Sequence, residues 1–240
     1  MGTVNLLASS GSDVDFMIHG IFSYELFGQT FWITTTHVAV LIVMLVILLF
    51  ALAGRHAIKK ADEYPTGFQN VVELLIEMLD KTVEASMGGH AYKFRNYIGT
   101  LFIFIFFSNI SGLFGLRAPT ADYGVTLPLG LITFCLIQFN NIKYNKFGAF
   151  TDLFKPLPFL FPINLIGEVA VPFSLSLRLF GNVLSGTVMM SLIYSLLSRI
   201  AIGWPGILHI YFDVFSGAIQ TYVFCMLTMV FVSQKMPEEN

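Results

Sequence analysis

The sequence predicts an all-α polytopic membrane protein, and three observations carry the prediction: little charge, long uncharged runs, and charges confined to the ends of those runs. Of 240 residues, 55% are hydrophobic and only 12% are charged, against about a quarter charged in an ordinary soluble domain. Such a chain finds its solvent in lipid. A hydrocarbon core of about 30 Å takes roughly 20 apolar residues in a helix, and several runs reach that length. The chain reads as a single membrane domain, residues 1–240.

Residues 1–30 read as an external N-terminal segment. They hold Asp13, Asp15 and Glu25 but no Lys or Arg, so they lack the basic start of a secretory signal. The first span follows at 31–54, apolar or hydroxylated except for His37, with Trp32 near its start as an interfacial anchor. Residues 66–87 differ: Phe68, Val71, Val72, Leu75, Leu79 and Val83 follow helical spacing, while Glu73, Glu77, Asp80, Lys81 and Glu84 fill the other side. This pattern suits an amphipathic helix lying along the membrane interface, and equally a helix packed on a partner protein. Two uncharged runs, joined by the short segment from Arg117 to Asp122, make a membrane hairpin over 96–142.

Two longer helices complete the chain. Residues 158–199 carry no strong stop beyond Pro162 and Pro172 and would run to roughly 60 Å at 1.5 Å per residue. Such a helix must tilt or bend, and Pro172 offers a place to bend. Residues 205–234, after the turn-like Gly203-Trp204-Pro205-Gly206, form a second inclined helix, antiparallel to the first.

Of the 13 Lys and Arg, Arg178 alone lies inside a span. Arg55, Lys59, Lys60, Lys81, Lys93, Arg95, Lys143, Lys146, Lys155 and Lys235 fall on one side of the membrane, and only Arg117 and Arg199 on the other. The positive-inside rule then puts the N-terminus outside and the C-terminus in the cytoplasm. A net charge of -2 gives no basic field for nucleic acid. Cys135 and Cys225 lack metal-ligand or disulfide spacing, and His19, His37, His56 and His90 are scattered, so no metal site is expected.

An arginine within a bilayer costs about 2.5–3.5 kcal/mol on the insertion scale and stays protonated. Its surroundings are polar. Ser174, Arg178 and Asn182 fall at i, i+4 and i+8, with Ser185 beyond and Asn164 earlier on the same helix. On the last helix His209, Asp213, Ser216 and Gln220 fall at i, i+4, i+7 and i+11. Facing polar stripes describe a hydrated seam. Glu168 lies about 15 Å from Arg178 along the same helix, too far for a direct pair. Asp213 enters from the outer end of its helix, and an internal pair with Arg178 stays open. The other reading is that Arg178 faces a carboxylate of another subunit, with Glu168 and Asp213 on opposite sides of it in depth.

The run Ser174-Leu-Ser-Leu-Arg178-Leu-Phe-Gly-Asn182 resembles the signature of the a subunit of F-type ATP synthases. Pro119-Thr-Ala-Asp122 followed by 127–134 is similar to that family's hairpin, and the last helix matches through Gln220. The resemblance covers most of the chain. It implies an ion-channel stator subunit, not itself an enzyme, in a bacterial plasma (inner) membrane. Its partners would be the c-subunit ring, the b-subunit peripheral stalk and the rest of the synthase, with the lipid bilayer around it. Transported H+ or Na+ would pass through two half-channels to and from the ring's carboxylates, with Arg178 as the barrier between them. ATP chemistry would lie on partner subunits, since no phosphate-binding G-x-x-x-x-G-K-[ST] loop is present, and no cofactor is implied.

By the same match Asn182 and Gln220 flank the arginine, or else act as helix-to-helix glue. One well-known branch of the family has Glu at the position of Thr187 and His at that of Asp213. The departure assigns the outer relay to Asp213, assisted by Thr187 or ordered water, and leaves His209 as an interfacial histidine that could tune Asp213. Glu168 would line the inner half-channel or snorkel to the interface. Two other classes compete: a stand-alone secondary transporter binding an anionic substrate at Arg178, and an intramembrane enzyme. The first would show internal repeats, and the second a nucleophile with its base. Neither pattern is found.

Overall fold

The computed structural model describes residues 20–26, 29–59, 67–146, 148, 154, 158–196 and 204–237. The expectations placed on residues 1–19, Lys60, Lys155 and Arg199 lie outside them. The fold is an all-α polytopic membrane arrangement and, among the described residues, has five helices long and apolar enough to cross a bilayer. One addition precedes the first span. Gly20–Leu26 (β1) and Gln29–Thr34 (β2) pair antiparallel, with Ser23 opposite Trp32 and Glu25 opposite Thr30.

That hairpin takes residues expected in the first span, so the helix begins later. α1 runs Thr35–Lys59, not from Phe31. The sequence pattern misses this because Phe31, Trp32 and Ile33 are as apolar as the helix that follows. At the junction His37 Nδ1 accepts the Thr34 backbone N–H at 3.3 Å and meets its hydroxyl at 2.7 Å, returning a hydrogen bond to the helix start as a capping box does.

α2 (Phe68–Met87) buries Val72, Val83 and Met87 on one face. On its polar face Glu77 pairs with Lys81 at 2.7 Å, and Asp80 ties the helix to Arg95 of the next one at 2.8 Å. Gly88 ends it at φ 54, a backbone conformation open to glycine. α3 (Ala91–Ile110) continues as a short 3-10 turn, Ser111–Phe114. After a second turn at Pro119–Ala121, Asp122 caps α4 (Tyr123–Asn145) by accepting the Gly124 N–H at 2.8 Å.

α5 spans Phe161–Leu196, 36 residues without a break, hence about 54 Å long. A bilayer core of about 30 Å requires it to incline. Pro172 does not interrupt it; the proline is buried, and only its missing N–H leaves the Glu168 carbonyl without a helical donor. The last helix consists of α6 (Trp204–His209), a π-helical segment (Ile210–Ser216) and α7 (Gly217–Ser233). Its regular α-helical register, assumed in the sequence pattern, is therefore broken at the segment carrying Asp213.

Glycines let the helices touch. A Cβ on Gly130 of α4 would lie 2.6 Å from the Pro172 carbonyl oxygen of α5, and one on Gly217 of α7 would lie 2.8 Å from the Asn109 Cβ of α3. Small residues at such crossings are the usual route to close packing in lipid. Asn109, buried, locks the second crossing: its amide donates to the Gly217 carbonyl at 3.0 Å and accepts from the Thr120 hydroxyl at 2.7 Å. Around these contacts Ile98, Ile105, Leu175, Leu179, Phe224, Met229 and Val232 form a core with almost no exposed surface.

Candidate functional site

α5 buries Pro172, Leu175, Ser176, Leu179, Gly186 and Met190 against the rest of the chain. The opposite face, with Ser174, Arg178 and Ser185, is exposed. Arg178 stands at the midpoint of α5 and, among the described residues, makes no hydrogen bond and no ion pair. The two acids that could have answered it are engaged elsewhere.

Glu168 accepts from Lys235 Nζ at 2.9 Å and from Gln138 Nε2 at 2.9 Å. It is neither a snorkelling side chain nor a free one; Lys235 anchors it from the end of the last helix. The group borders a cavity of about 560 Å³ that also touches Asn164, Gly167 and Gln234. Asp213 accepts from His209 Nδ1 at 2.9 Å, and His209 Nε2 meets the Tyr194 hydroxyl at 3.1 Å. His209 is thus the immediate partner of Asp213 and not an isolated interfacial ring. These three residues line a second cavity of about 380 Å³ together with Arg117, Thr187 and Ser191. Gly112 closes in on the carboxyl group, since a Cβ there would sit 3.4 Å from it.

The two cavities lie on opposite sides of Arg178 along α5. Glu168 is about 15 Å to one side and Thr187 about 13 Å to the other, and Arg178 borders neither cavity. Between Asp213 and the arginine stands one further contact: Asn182 Nδ2 donates to Ser216 Oγ at 3.0 Å, and Asn182 is one helical turn from Arg178. From the Tyr194 end inward, the polar groups therefore run Tyr194, His209, Asp213, Ser216, Asn182, Arg178.

Thr187 spends its hydroxyl proton on the Val183 carbonyl at 2.9 Å, so within the cavity it offers oxygen lone pairs. Gln220 is buried, and its amide nitrogen has no hydrogen-bond partner among the described residues. A buried donor left unpaired costs about 1–3 kcal/mol.

A family model described as ATP synthase A chain matches residues 37–233. The chain belongs to the ATP synthase A chain family. Among its relatives, the sodium ion specific ATP synthase subunit a of Propionigenium modestum is 37% identical over 221 residues, 84% of this chain and 74% of that one. The ATP synthase subunit a of Limosilactobacillus fermentum is 36% identical over 91% of this chain and 98% of that protein. That of Priestia megaterium is 34% identical over 90% and 97% respectively.

Within this member of the family, Tyr194, Gln138 and Lys235 border the two cavities, and the sequence pattern did not single them out. Tyr194 shares a helical face with Thr187 and Ser191 at i, i+4 and i+7, a register that would have drawn attention to it. Gln138 and Lys235 carry no such signal, because their contact with Glu168 joins three separate helices. The π-helical turn bearing Asp213 is a feature frequent at functional sites, and nothing in Ile210–Ser216 as a sequence announces it.

Proposed function

We propose that this chain is the ion-translocating stator subunit of an F-type rotary ATP synthase, moving H+ or Na+ between two half-channels and the carboxylates of a c-subunit ring. The observation that carries the reading is Arg178, a permanently charged group midway along a membrane-spanning helix, exposed and unpaired among the described residues. Leaving such a charge against lipid costs several kcal/mol. A ring carboxylate brought opposite it would remove that cost, and the guanidinium would in turn favour the carboxylate's ionised form. The bound ion is then released on arrival at the arginine. The same fixed positive charge repels cations and keeps the two half-channels from leaking into each other.

The cavity beside Asp213 serves as the outer half-channel and the cavity beside Glu168 as the inner one. In the outer, Tyr194, His209 and Asp213 form a relay, with Ser216 and Asn182 continuing it toward the ring face. In the inner, Lys235 holds Glu168 in place while Gln138 and Asn164 supply polar wall. Gln220, whose amide is buried and unpaired among the described residues, is the polar group of the last helix that flanks Arg178. An ion crossing this path moves through a field worth about 2.3 kcal/mol per 100 mV. ATP chemistry takes place on partner subunits, and the b-subunit peripheral stalk holds the chain static. The membrane is the bacterial plasma membrane, with the N-terminus outside and the C-terminus in the cytoplasm.

Sided access tests the reading. With Cys135 and Cys225 replaced by alanine, single cysteines at Gln138 and Ser191 are exposed to a membrane-impermeant thiol reagent in oriented vesicles of the assembled complex. Position 138 should react only from the cytoplasmic side and position 191 only from the outer side. Reaction of both from one side would remove the two half-channels.

A further inference from the structure

A cavity of about 840 Å³, larger than those beside Glu168 and Asp213 and not bordered by Arg178, lies between α1, α2 and α3. Its walls are hydrocarbon: Ile47 and Phe50 from α1, Val72 and Ile76 from α2, Phe102 and Phe106 from α3. Such a space has too few polar partners to hold ordered water. Within a bilayer it fills with acyl chains, and at about 30 Å³ per water-sized group it has room for one to two of them.

One end of the cavity is different. Arg55 and Lys59 border it, one helical turn apart on α1. Both are exposed, and neither is ion-paired among the described residues. The nearby acids of α2 do not answer them: Glu73 accepts from Gln69, Glu77 pairs with Lys81, and Asp80 pairs with Arg95. From Ile47 to Lys59 the cavity follows α1 for about 18 Å. That is close to one leaflet of a core about 30 Å thick, with the two cations at the end where headgroups lie.

We propose that this gap is a binding site for a single anionic phospholipid, its acyl chains between α1, α2 and α3 and its phosphate on Arg55 and Lys59. A cleft one leaflet deep with a cationic mouth fits a lipid better than a transmembrane helix of a partner, which would line α1 through both leaflets. Basic pockets between membrane helices recognise acidic headgroups in this way. The lipid would add to the direct contacts that hold α1 to the rest of the chain, such as Phe50 on Phe68 and Phe107.

The test uses the assembled complex in vesicles with photoactivatable phospholipids that carry the reactive group in an acyl chain. A phosphatidylglycerol probe should label the peptides containing Phe50, Ile76 and Phe106 about twenty-five-fold more than a phosphatidylcholine probe, at about fivefold for each of two cations. The double substitution Arg55→Gln with Lys59→Gln should bring the two probes level. Ile76→Trp, which narrows the cavity and keeps both cations, should lower labelling by both probes. Equal labelling by the two headgroups in the unsubstituted complex would overturn the proposal. So would label undiminished in Ile76→Trp, or label found instead on a helix of another subunit seated in the gap.

Discussion

Replacing His209 by alanine removes the one side chain that bonds to both Tyr194 and Asp213, at 3.1 Å and 2.9 Å. A hydrogen bond to a charged group is worth about 1.5–3 kcal/mol. If that stabilisation orients Asp213 for ion transfer, its loss raises the barrier by the same amount, and at about 1.4 kcal/mol per decade the rate falls roughly ten- to hundred-fold. Tyr194→Phe removes a bond to a ring nitrogen, worth about 0.5–1.5 kcal/mol, and should slow transport by roughly two- to ten-fold. Because Tyr194 reaches Asp213 only through the imidazole, the double variant should be no slower than His209→Ala alone, a non-additivity expected of groups acting in series. The assay is ATP-driven ion pumping in inverted vesicles, normalised to assembled complex. Wild-type pumping by His209→Ala, or effects of the two substitutions that simply multiply, would refute the relay.

Asp213→Asn keeps the shape of the side chain and removes its charge; pumping should fall while the complex still assembles, as measured by subunit content and flux in the same vesicles. Lys235→Ala leaves Glu168 with Gln138 as its remaining partner, so a cysteine introduced at Gly167 should react differently with thiol reagents, whereas the outer cavity is unaffected. Gly130→Ala forces a methyl group to 2.6 Å from the Pro172 carbonyl and should destabilise the α4–α5 contact by about 1–3 kcal/mol, seen as a lower thermal unfolding midpoint of the complex. Asn109→Leu orphans the Thr120 hydroxyl, at about 1–3 kcal/mol for a group left buried without a partner, while the Gly217 carbonyl keeps the Thr221 hydroxyl at 2.8 Å; the readout is the same.

The membrane fold was legible because it depends on two coarse quantities, run length and charge placement, and both survive in a single sequence. The arginine was legible for the same reason: one cation inside a long apolar run is conspicuous whatever its neighbours do. Other features depend on contacts between distant segments. Lys235 looks like an ordinary flanking lysine until the fold brings it to Glu168, and Tyr194 looks like one more aromatic in an apolar helix until the last helix places His209 beside it. The hairpin before α1 was hidden by composition, since Phe31–Thr34 suits a strand or a span equally. The π-helical turn at Ile210–Ser216 was hidden by the assumption of regular α-helical spacing. Asn109 was not singled out in the sequence, because its role in locking α7 to α3 depends on Gly217 opposite it.

Of all these measurements, the one that bears most directly on the reading is pumping by the Arg178→Ala complex. On the proposed reading the Arg178 charge expels the ion from each arriving carboxylate and separates two aqueous paths, and no other Lys or Arg lies inside a span to replace it. The substituted complex should therefore show no ATP-driven ion gradient and an increased passive leak through its membrane sector. A complex without the guanidinium that still built a normal gradient would contradict the account.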